Sequence, residues 1–424
     1  MLKWLSLITL LALVAGIGVG ALVAGADNAA ATGVLREIGH IGDLWLNLLR
    51  MTVIPLVFSL LVTGIASVAD AASSGRLAAR SIFVFGVLLV SATVFACIVF
   101  PVVLALWPVD AAIAGSMIAD SAAQAAPTGA PPTIGEWLAA LAPSNTVAAA
   151  AEGAILPLVV FALFFGFAAT QLPAGQRAPM VAFFRAVADT MIVIVRWVLY
   201  AAPVGVFALA LGVGLIAGID AGRLIAHYLV IVSAVTALIV PMAFLFAFIW
   251  GRASPVRFIN ATAPVLAVAI SSRSSLASLP LMVERARDAA GVPERVANIV
   301  LPMAVAVFRM TSPVANLGVV FFCAAVFGVE LSPMSIAMGG LVAMAISIGS
   351  VGLPGEISFV ASVAPISMAM GVPIELLGIL VAVEAVPDIF RTVGNVSGDM
   401  AASVIAAKGQ TANSPAPADA AQPG

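Results

Sequence analysis

Glu384-Ala-Val-Pro-Asp388-Ile-Phe-Arg391-Thr392-Val-Gly-Asn395-Val-Ser-Gly-Asp399 sets three carboxylates, a guanidinium and an amide inside an apolar stretch that runs from about Leu376 to Ala407. At about 100° per residue on a helix, Glu384, Asp388, Arg391, Asn395 and Asp399 share a narrow sector, with Thr392 at its edge. A charged group at the bilayer centre costs about 2.5–3.5 kcal/mol on insertion scales, so a stripe of them requires partners, water or a ligand. The stripe predicts one wall of a binding site for a charged solute.

Outward from it, the chain is a membrane protein by composition. Of 424 residues, 63% are hydrophobic and 9% charged, against about 25% charged in soluble domains. The net charge of −2 says little about partners, because distribution matters more than sum. Basic runs interleaved with aromatics are absent, which argues against nucleic acid. Cys97 and Cys323 sit in apolar runs and read as packing thiols rather than a disulfide. His40 and His227 are not at metal-ligand spacing, and no cofactor is expected. No nucleophile–base pair or metal cluster points to an enzyme.

Apolar spans are expected at about 4–24, 44–68, 82–107, 146–171, 181–214 and 224–250. The first, after Lys3, reads as an uncleaved helix, with a signal peptide as the rival reading. Arg76 and Arg80, Arg177 and Arg185, and Arg252 and Arg257 follow the second, fourth and sixth spans, whereas the loop 108–145 has no Lys or Arg. Cytoplasmic loops carry the excess of Lys and Arg, so the N-terminus is expected inside and the long loop outside. Residues 409–424 read as a short disordered tail.

The second half is interrupted. Ser271-Ser-Arg273-Ser-Ser275 and Pro280 break the stretch 259–282, and Ser347-Ile-Gly-Ser350-Val-Gly-Leu-Pro354-Gly355-Glu356 breaks 334–370. Between them, Phe308-Arg309-Met310-Thr311-Ser312-Pro313 divides a span at about 296–327, because Pro313 removes a helical donor. Irregular backbone at membrane depth is tolerated where it is buried in protein or lines a cavity. Paired interrupted segments point to the site of a secondary transporter.

Ser271–Ser275 with Leu279-Pro280, Gly349-Ser-Val-Gly-Leu-Pro-Gly355, and Asp388, Arg391 and Asn395-Val-Ser-Gly-Asp399 together resemble the glutamate/aspartate transporter family, the dicarboxylate/amino acid:cation symporters. Met51-Thr-Val-Ile-Pro-Leu-Val-Phe, Gly153-Ala-Ile-Leu-Pro157 and Ala202-Pro203-Val-Gly-Val-Phe207 match earlier family helices, so the similarity spans roughly 1–408. The resemblance implies an all-α polytopic membrane protein with eight transmembrane helices, inverted repeats and two re-entrant hairpins, here about 254–286 and 335–370. It implies a homotrimer in a bacterial inner membrane, both termini cytoplasmic. In each protomer a transport core (about 79–107 and 222–408) would move like an elevator against a scaffold (about 1–78 and 144–220).

Carried over by position, the resemblance makes Arg391 the partner of the solute's side-chain carboxylate and Asp388 that of its amino group. Thr392 and Asn395 would meet the α-amino and α-carboxylate groups, and Ser312 would join the substrate site. The hairpin tips at Ser274–Ser275 and at Leu353–Glu356, with Gly355, would close it. The chemistry agrees, since a guanidinium holds a carboxylate bidentately and an acceptor-only carboxylate suits an ammonium. Neutral amino acid members of the family generally replace the arginine.

The chain also departs from the pattern. Where the family carries Asn-Met-Asp-Gly-Thr as sodium ligands, this chain has Phe308-Arg309-Met310-Thr311-Ser312. Around Val84–Leu89 the hydroxyl ligands of the family's third helix are missing, so Asp399 alone remains of the sodium set. Arg309 reads either as a structural partner of Asp399 or as a tethered cation that replaces sodium. Coupling would then pass to protons, with Glu356 and Glu384 as candidate carriers, or be absent. Bland readings stand beside these: Glu384 facing the scaffold, Glu356 in water at a tip, Arg273 capping hairpin carbonyls. Three functions remain open: an acidic amino acid symporter, a C4-dicarboxylate transporter or uncoupled exchanger, and a non-transporting receptor on the same fold. The partners expected are a small anionic solute, membrane lipid and two further copies of the chain.

Overall fold

An apolar run in a bilayer must satisfy its backbone hydrogen bonds internally, and helices do so. The computed structural model describes residues 2–26, 29–73, 75–110, 135, 139, 141–218, 220–349 and 355–409, without the side chains of 2–4, 349 and 355–357. Among these residues every regular element is helical. In chain order they are α1 (Leu2–Gly25), α2 (Ala29–Ser73), α3 (Arg76–Leu106), α4 (Thr146–Ala151), α5 (Ile155–Thr170), α6 (Ala174–Tyr200), α7 (Ala202–Ala217), α8 (Asp220–Ala237) and α9 (Ile239–Ile249). They continue as α10 (Pro255–Ser272), α11 (Ser275–Asp288), α12 (Glu294–Val307), α13 (Ser312–Val326), α14 (Pro333–Gly349), α15 (Gly355–Ala369), α16 (Leu377–Leu380) and α17 (Ala385–Ala407). Seven described stretches are long and apolar enough to cross a membrane, and four shorter apolar helices accompany them. The chain is therefore a multi-pass membrane protein. Most of the loop at 108–145 and the tail from 410 lie outside the described residues.

Several spans differ from the expected ones, each for a local reason. The span expected at 44–68 is part of a 45-residue helix that runs through Pro55. Its added N-terminal turns carry Arg36, Glu37, His40 and Asp43 on mostly exposed backbone. The span expected at 146–171 is two helices, because Gly153 takes a positive φ of 70° that glycine alone adopts freely. The stretch 181–214 divides between α6 and α7 at Ala201, with Pro203 in the first turn of α7, where a missing N–H costs nothing. In 224–250 the helix is disturbed at Leu238, since Pro241 has no N–H to give the carbonyl of Ala237.

Two of the expected interruptions are present, and the core of the third, 350–354, lies outside the described residues. α10 and α11 fold back on each other through Arg273, left-handed at φ 50°, and Ser274, whose hydroxyl caps Ala277 N at 3.2 Å. α14 and α15 also pack together, with 350–354 outside the described residues. α12 ends at Val307 and α13 begins at Ser312, just ahead of Pro313.

α1 and α2 pack with α5, α6 and α7, and α2 also packs on α3, α14 and α15, whereas α17 is surrounded by α3, α8, α9, α10, α11 and α12. The end of α17 is tied down by Arg80, which donates to the carbonyl of Ile405 at 3.2 Å, and by Lys408, which donates to Trp250 O at 3.1 Å. Cations there also suit the negative end of the helix dipole.

Without a hydrophobic drive between helices in lipid, small residues that let backbones approach set the contacts. Gly16 and Gly20 on α1 face Ala210 and Gly214 on α7. A Cβ on Gly20 would overlap the carbonyl of Leu211, and one on Gly214 that of Ile17. Gly214→Leu is expected to cost about 1–3 kcal/mol by forcing the pair apart. A clear fall in the melting temperature of the purified protein in detergent, with Gly18→Leu as the open-space control, checks this.

Candidate functional site

α17 starts only at Ala385 because Pro387 cannot donate to a preceding turn and is cheapest near a helix start. Glu384 is thus the N-cap residue, after turns over 381–384, and not part of a continuous helical stripe as the sequence suggests. The rest of the stripe follows on one face. Arg391, Thr392, Asn395 and Asp399 are buried, as is Glu384, and Asp388 is half-buried.

Side chains on a helix lean toward its N-terminus, so Arg391 reaches back to Glu384. Arg391 Nη2 lies 3.1 Å from Glu384 Oε1. Tyr228 of α8 donates its hydroxyl to Glu384 Oε2 at 3.3 Å. Arg391 Nη1 donates to Asn316 Oδ1 of α13 at 2.9 Å, and Asn316 Nδ2 to Ser312 Oγ at 3.3 Å. Arg391 Nε stays buried without a hydrogen-bond partner. The guanidinium is therefore neutralised once and retains a free donor.

Asn395 is oriented from below. Thr311 N donates to its Oδ1 at 3.0 Å, which fixes the amide so that Nδ2 is left uncommitted. Thr311 Oγ1 lies 2.7 Å from that Oδ1 and 2.8 Å from the Arg391 carbonyl, so its single proton serves one at a time. Thr392 spends its proton on Asp388 O at 2.9 Å and offers only lone pairs. Ser274 and Ser275 lie half-buried at the turn between α10 and α11, where the hydrogen bonds of Ser274 stay local. Gly355 opens α15, and the side chain of Glu356 lies outside the described residues.

Asp399 is 1% exposed and neither carboxylate oxygen has a hydrogen-bond partner. The charge that acts on it is Arg309, half-buried in the break between α12 and α13. Arg309 in turn feels Asp399, Asp388 and Arg391. Its Nε is buried without a partner. Apolar side chains border it. Phe308 stacks on Phe85 of α3 at 4.8 Å between ring centroids. A Cβ on Gly398, next to Asp399, would meet Met310 at 3.1 Å and Phe308 at 3.4 Å. Among the described residues no group of three or more His, Cys, Asp or Glu is arranged for a metal.

Sequence reasoning missed Tyr228, Asn316 and the orienting role of Thr311. The signals were thin: Tyr228 is one of two tyrosines in the chain, and Asn316 is an isolated amide one turn after Ser312. Glu384 meets Arg391 and Tyr228.

Comparison with known proteins gives consistent findings. The profile of the Sodium:dicarboxylate symporter family matches residues 5–409. The Proton/glutamate-aspartate symporter of Escherichia coli (strain K12) is 30% identical over 388 residues, covering 88% of this chain and 86% of that protein. The Neutral amino acid transporter B(0) of Homo sapiens is 32% identical over 442 residues, 93% of this chain and 78% of that protein. The Proton/sodium-glutamate symport protein of Bacillus caldotenax is 28% identical over 407 residues, 93% of this chain and 92% of that protein.

Proposed function

Since the chain belongs to the sodium:dicarboxylate symporter family, we propose that it is a secondary active symporter of acidic amino acids, aspartate or glutamate, driven by protons rather than by several sodium ions. At the coarser level the family consists of transporters, so the chain is a membrane transporter of amino acid or dicarboxylate solutes and not an enzyme. The observation that carries the finer reading is Arg391, 7% exposed, held by one internal carboxylate and still offering a buried Nε donor. A second carboxylate, brought by a solute, suits that geometry. Asp388, one turn earlier on the same face, would take the ammonium. The free Nδ2 of Asn395 would take a carboxylate oxygen, and Thr392 and Ser312 border the same space.

Proton coupling draws support from the Phe85–Phe308 stack and from Arg309, a resident cation whose charge acts on Asp399. An elevator movement draws support from the interrupted helices beside α17. The remaining expectations belong to the same proposal: eight transmembrane helices with two re-entrant hairpins, inverted repeats, closure by Ser274–Ser275 and Gly355, a homotrimer, and a bacterial inner membrane with cytoplasmic termini. Glu356 is the second candidate carrier.

The test is uptake of labelled L-aspartate into proteoliposomes under an imposed pH gradient and, separately, an imposed sodium gradient. The expected result is accumulation with an inward proton gradient and indifference to sodium. Sodium-driven uptake would overturn the coupling. Displacement of label by succinate but not by L-glutamate would move the substrate class to C4-dicarboxylates.

A further inference from the structure

Thr311 stands fully buried in the break between α12 and α13 and faces the Asn395 carboxamide of α17 with two donors. Its backbone N lies 3.0 Å and its Oγ1 2.7 Å from Asn395 Oδ1. We propose that Thr311 is a positioning residue of the solute site: it holds the Asn395 amide with Nδ2 toward the solute, so that this position accepts a carboxylate and refuses an ammonium. This rests on the proposed reading of the polar face of α17 as the solute site.

The orientation follows from donor and acceptor chemistry. A carboxamide has an acceptor end and a donor end of nearly equal size, and only its neighbours tell them apart. The N–H of Thr311 can only donate, so the end that meets it is Oδ1. Turned over, the amide would set N–H against N–H, and a buried donor left unpaired costs more than an ordinary hydrogen bond contributes. The Thr311 hydroxyl adds a second donor at the same oxygen, and its 2.8 Å approach to the Arg391 carbonyl keeps the side chain against the α17 backbone. With Oδ1 occupied, Asn395 has only N–H donors for a solute. Arg391 is donor-only as well, whereas Asp388 and Thr392 offer lone pairs. The face therefore has two positions for carboxylates and one for an ammonium, which an α-amino acid with a second carboxylate fills.

Two local features show that Thr311 is directed to this task. It is the N-cap residue of α13, yet its hydroxyl caps no N–H of its own helix. A threonine there ordinarily turns its oxygen to the N–H of the second or third helical residue. Here the second is Pro313, which has no N–H, and the side chain reaches across to α17 instead. Room for it comes from Gly394, where a Cβ would lie 2.3 Å from Thr311 Cγ2. Glycine inside a helix is destabilising relative to alanine, and no positive φ calls for it at Gly394. With its methyl against Gly394 and its hydroxyl against the Arg391 carbonyl, the β-branched side chain is held in one rotamer.

The experiment compares L-aspartate with β-alanine, which is aspartate without its α-carboxylate, as competitors of labelled L-aspartate on the purified full chain. Thr311→Val keeps the shape and the backbone N–H and removes the hydroxyl. It is expected to weaken L-aspartate about three- to tenfold and to leave β-alanine unchanged, so that the preference between the two falls by the same factor. Thr311→Ser, which keeps the hydroxyl, is expected to keep the preference. Gly394→Ala is expected to lower the preference as Thr311→Val does. Gly394→Ala/Thr311→Ser is expected to restore it, because the colliding methyl is gone and the hydroxyl stays. Equal weakening of both solutes in Thr311→Val overturns the inference, since a merely structural threonine affects all binding alike. An unchanged preference in Thr311→Val overturns it too. If the unmodified protein binds β-alanine as tightly as L-aspartate, Asn395 holds no carboxylate, and the inference falls while Arg391 remains the carboxylate receptor. Absence of L-aspartate binding overturns the solute-site reading and the inference with it. Thr311→Ala removes the same hydroxyl and decides by the same ratio if Thr311→Val fails to fold.

Discussion

Arg391→Ala is expected to abolish L-aspartate uptake and to destabilise the protein at the same time. The guanidinium is the counter-charge of a Glu384 that has no route to water, and it also anchors Asn316. Removing one member of a buried pair costs about 3–5 kcal/mol, because the other charge is left uncompensated. The affinity loss is expected at about 2–5 kcal/mol, or at least a factor of roughly 30. The two effects separate in the double variant Arg391→Ala/Glu384→Gln. It is expected to recover most of the melting temperature, since neither position is left with an uncompensated charge, and none of the aspartate binding. Recovery of binding along with stability would mean that Arg391 is structural and that the solute carboxylate is held elsewhere. Arg391→Lys is expected to be intermediate, because a point charge cannot serve Glu384 and Asn316 with a planar fork.

Arg309→Met is expected to be the most damaging change outside the solute site. It leaves Asp399, 1% exposed, with no cation acting on it. The cost is expected to be smaller than at Arg391 to the extent that Asp399 takes up a proton. Arg309→Met/Asp399→Asn is expected to regain most of that loss in a thermal melt. The smaller, oxygen-bearing Arg309→Asn goes further: sodium is expected to raise its melting temperature, as a ligand that binds only the folded state does. The unmodified protein is expected to be indifferent to sodium in the same assay. Sodium stabilisation of the unmodified chain, or an Arg309→Met variant as stable as the parent, would sink the idea that a guanidinium has replaced the ion.

The sequence already set Arg309 against Asp399, but it presented Glu384 and Arg391 only as separate members of one stripe. Glu384 and Arg391 lie seven positions apart, about 10 Å along an ideal helix, a separation at which an ion pair is not expected. The pair forms because the long Arg391 side chain leans toward the helix N-terminus. The hairpin at Arg273–Ser274 and the break at Phe308–Thr311 were legible for a different reason. Serine clusters and a proline within apolar stretches act on the local backbone, whatever packs around them. Splits at Gly153 and Ala201 were equally local and were hidden only by the uniform hydropathy on either side.

What the sequence alone determined was the solvent and the face. Composition put the chain in a bilayer, and helical spacing put Asp388, Arg391, Thr392, Asn395 and Asp399 on one side of one helix. What lies opposite that face was decided by tertiary structure. Tyr228 meets Glu384 across 156 residues of chain and Asn316 meets Arg391 across 75. No periodicity encodes which helices are neighbours. In a low-dielectric interior the neighbour decides whether a charge is balanced, available to a solute, or obliged to take a proton.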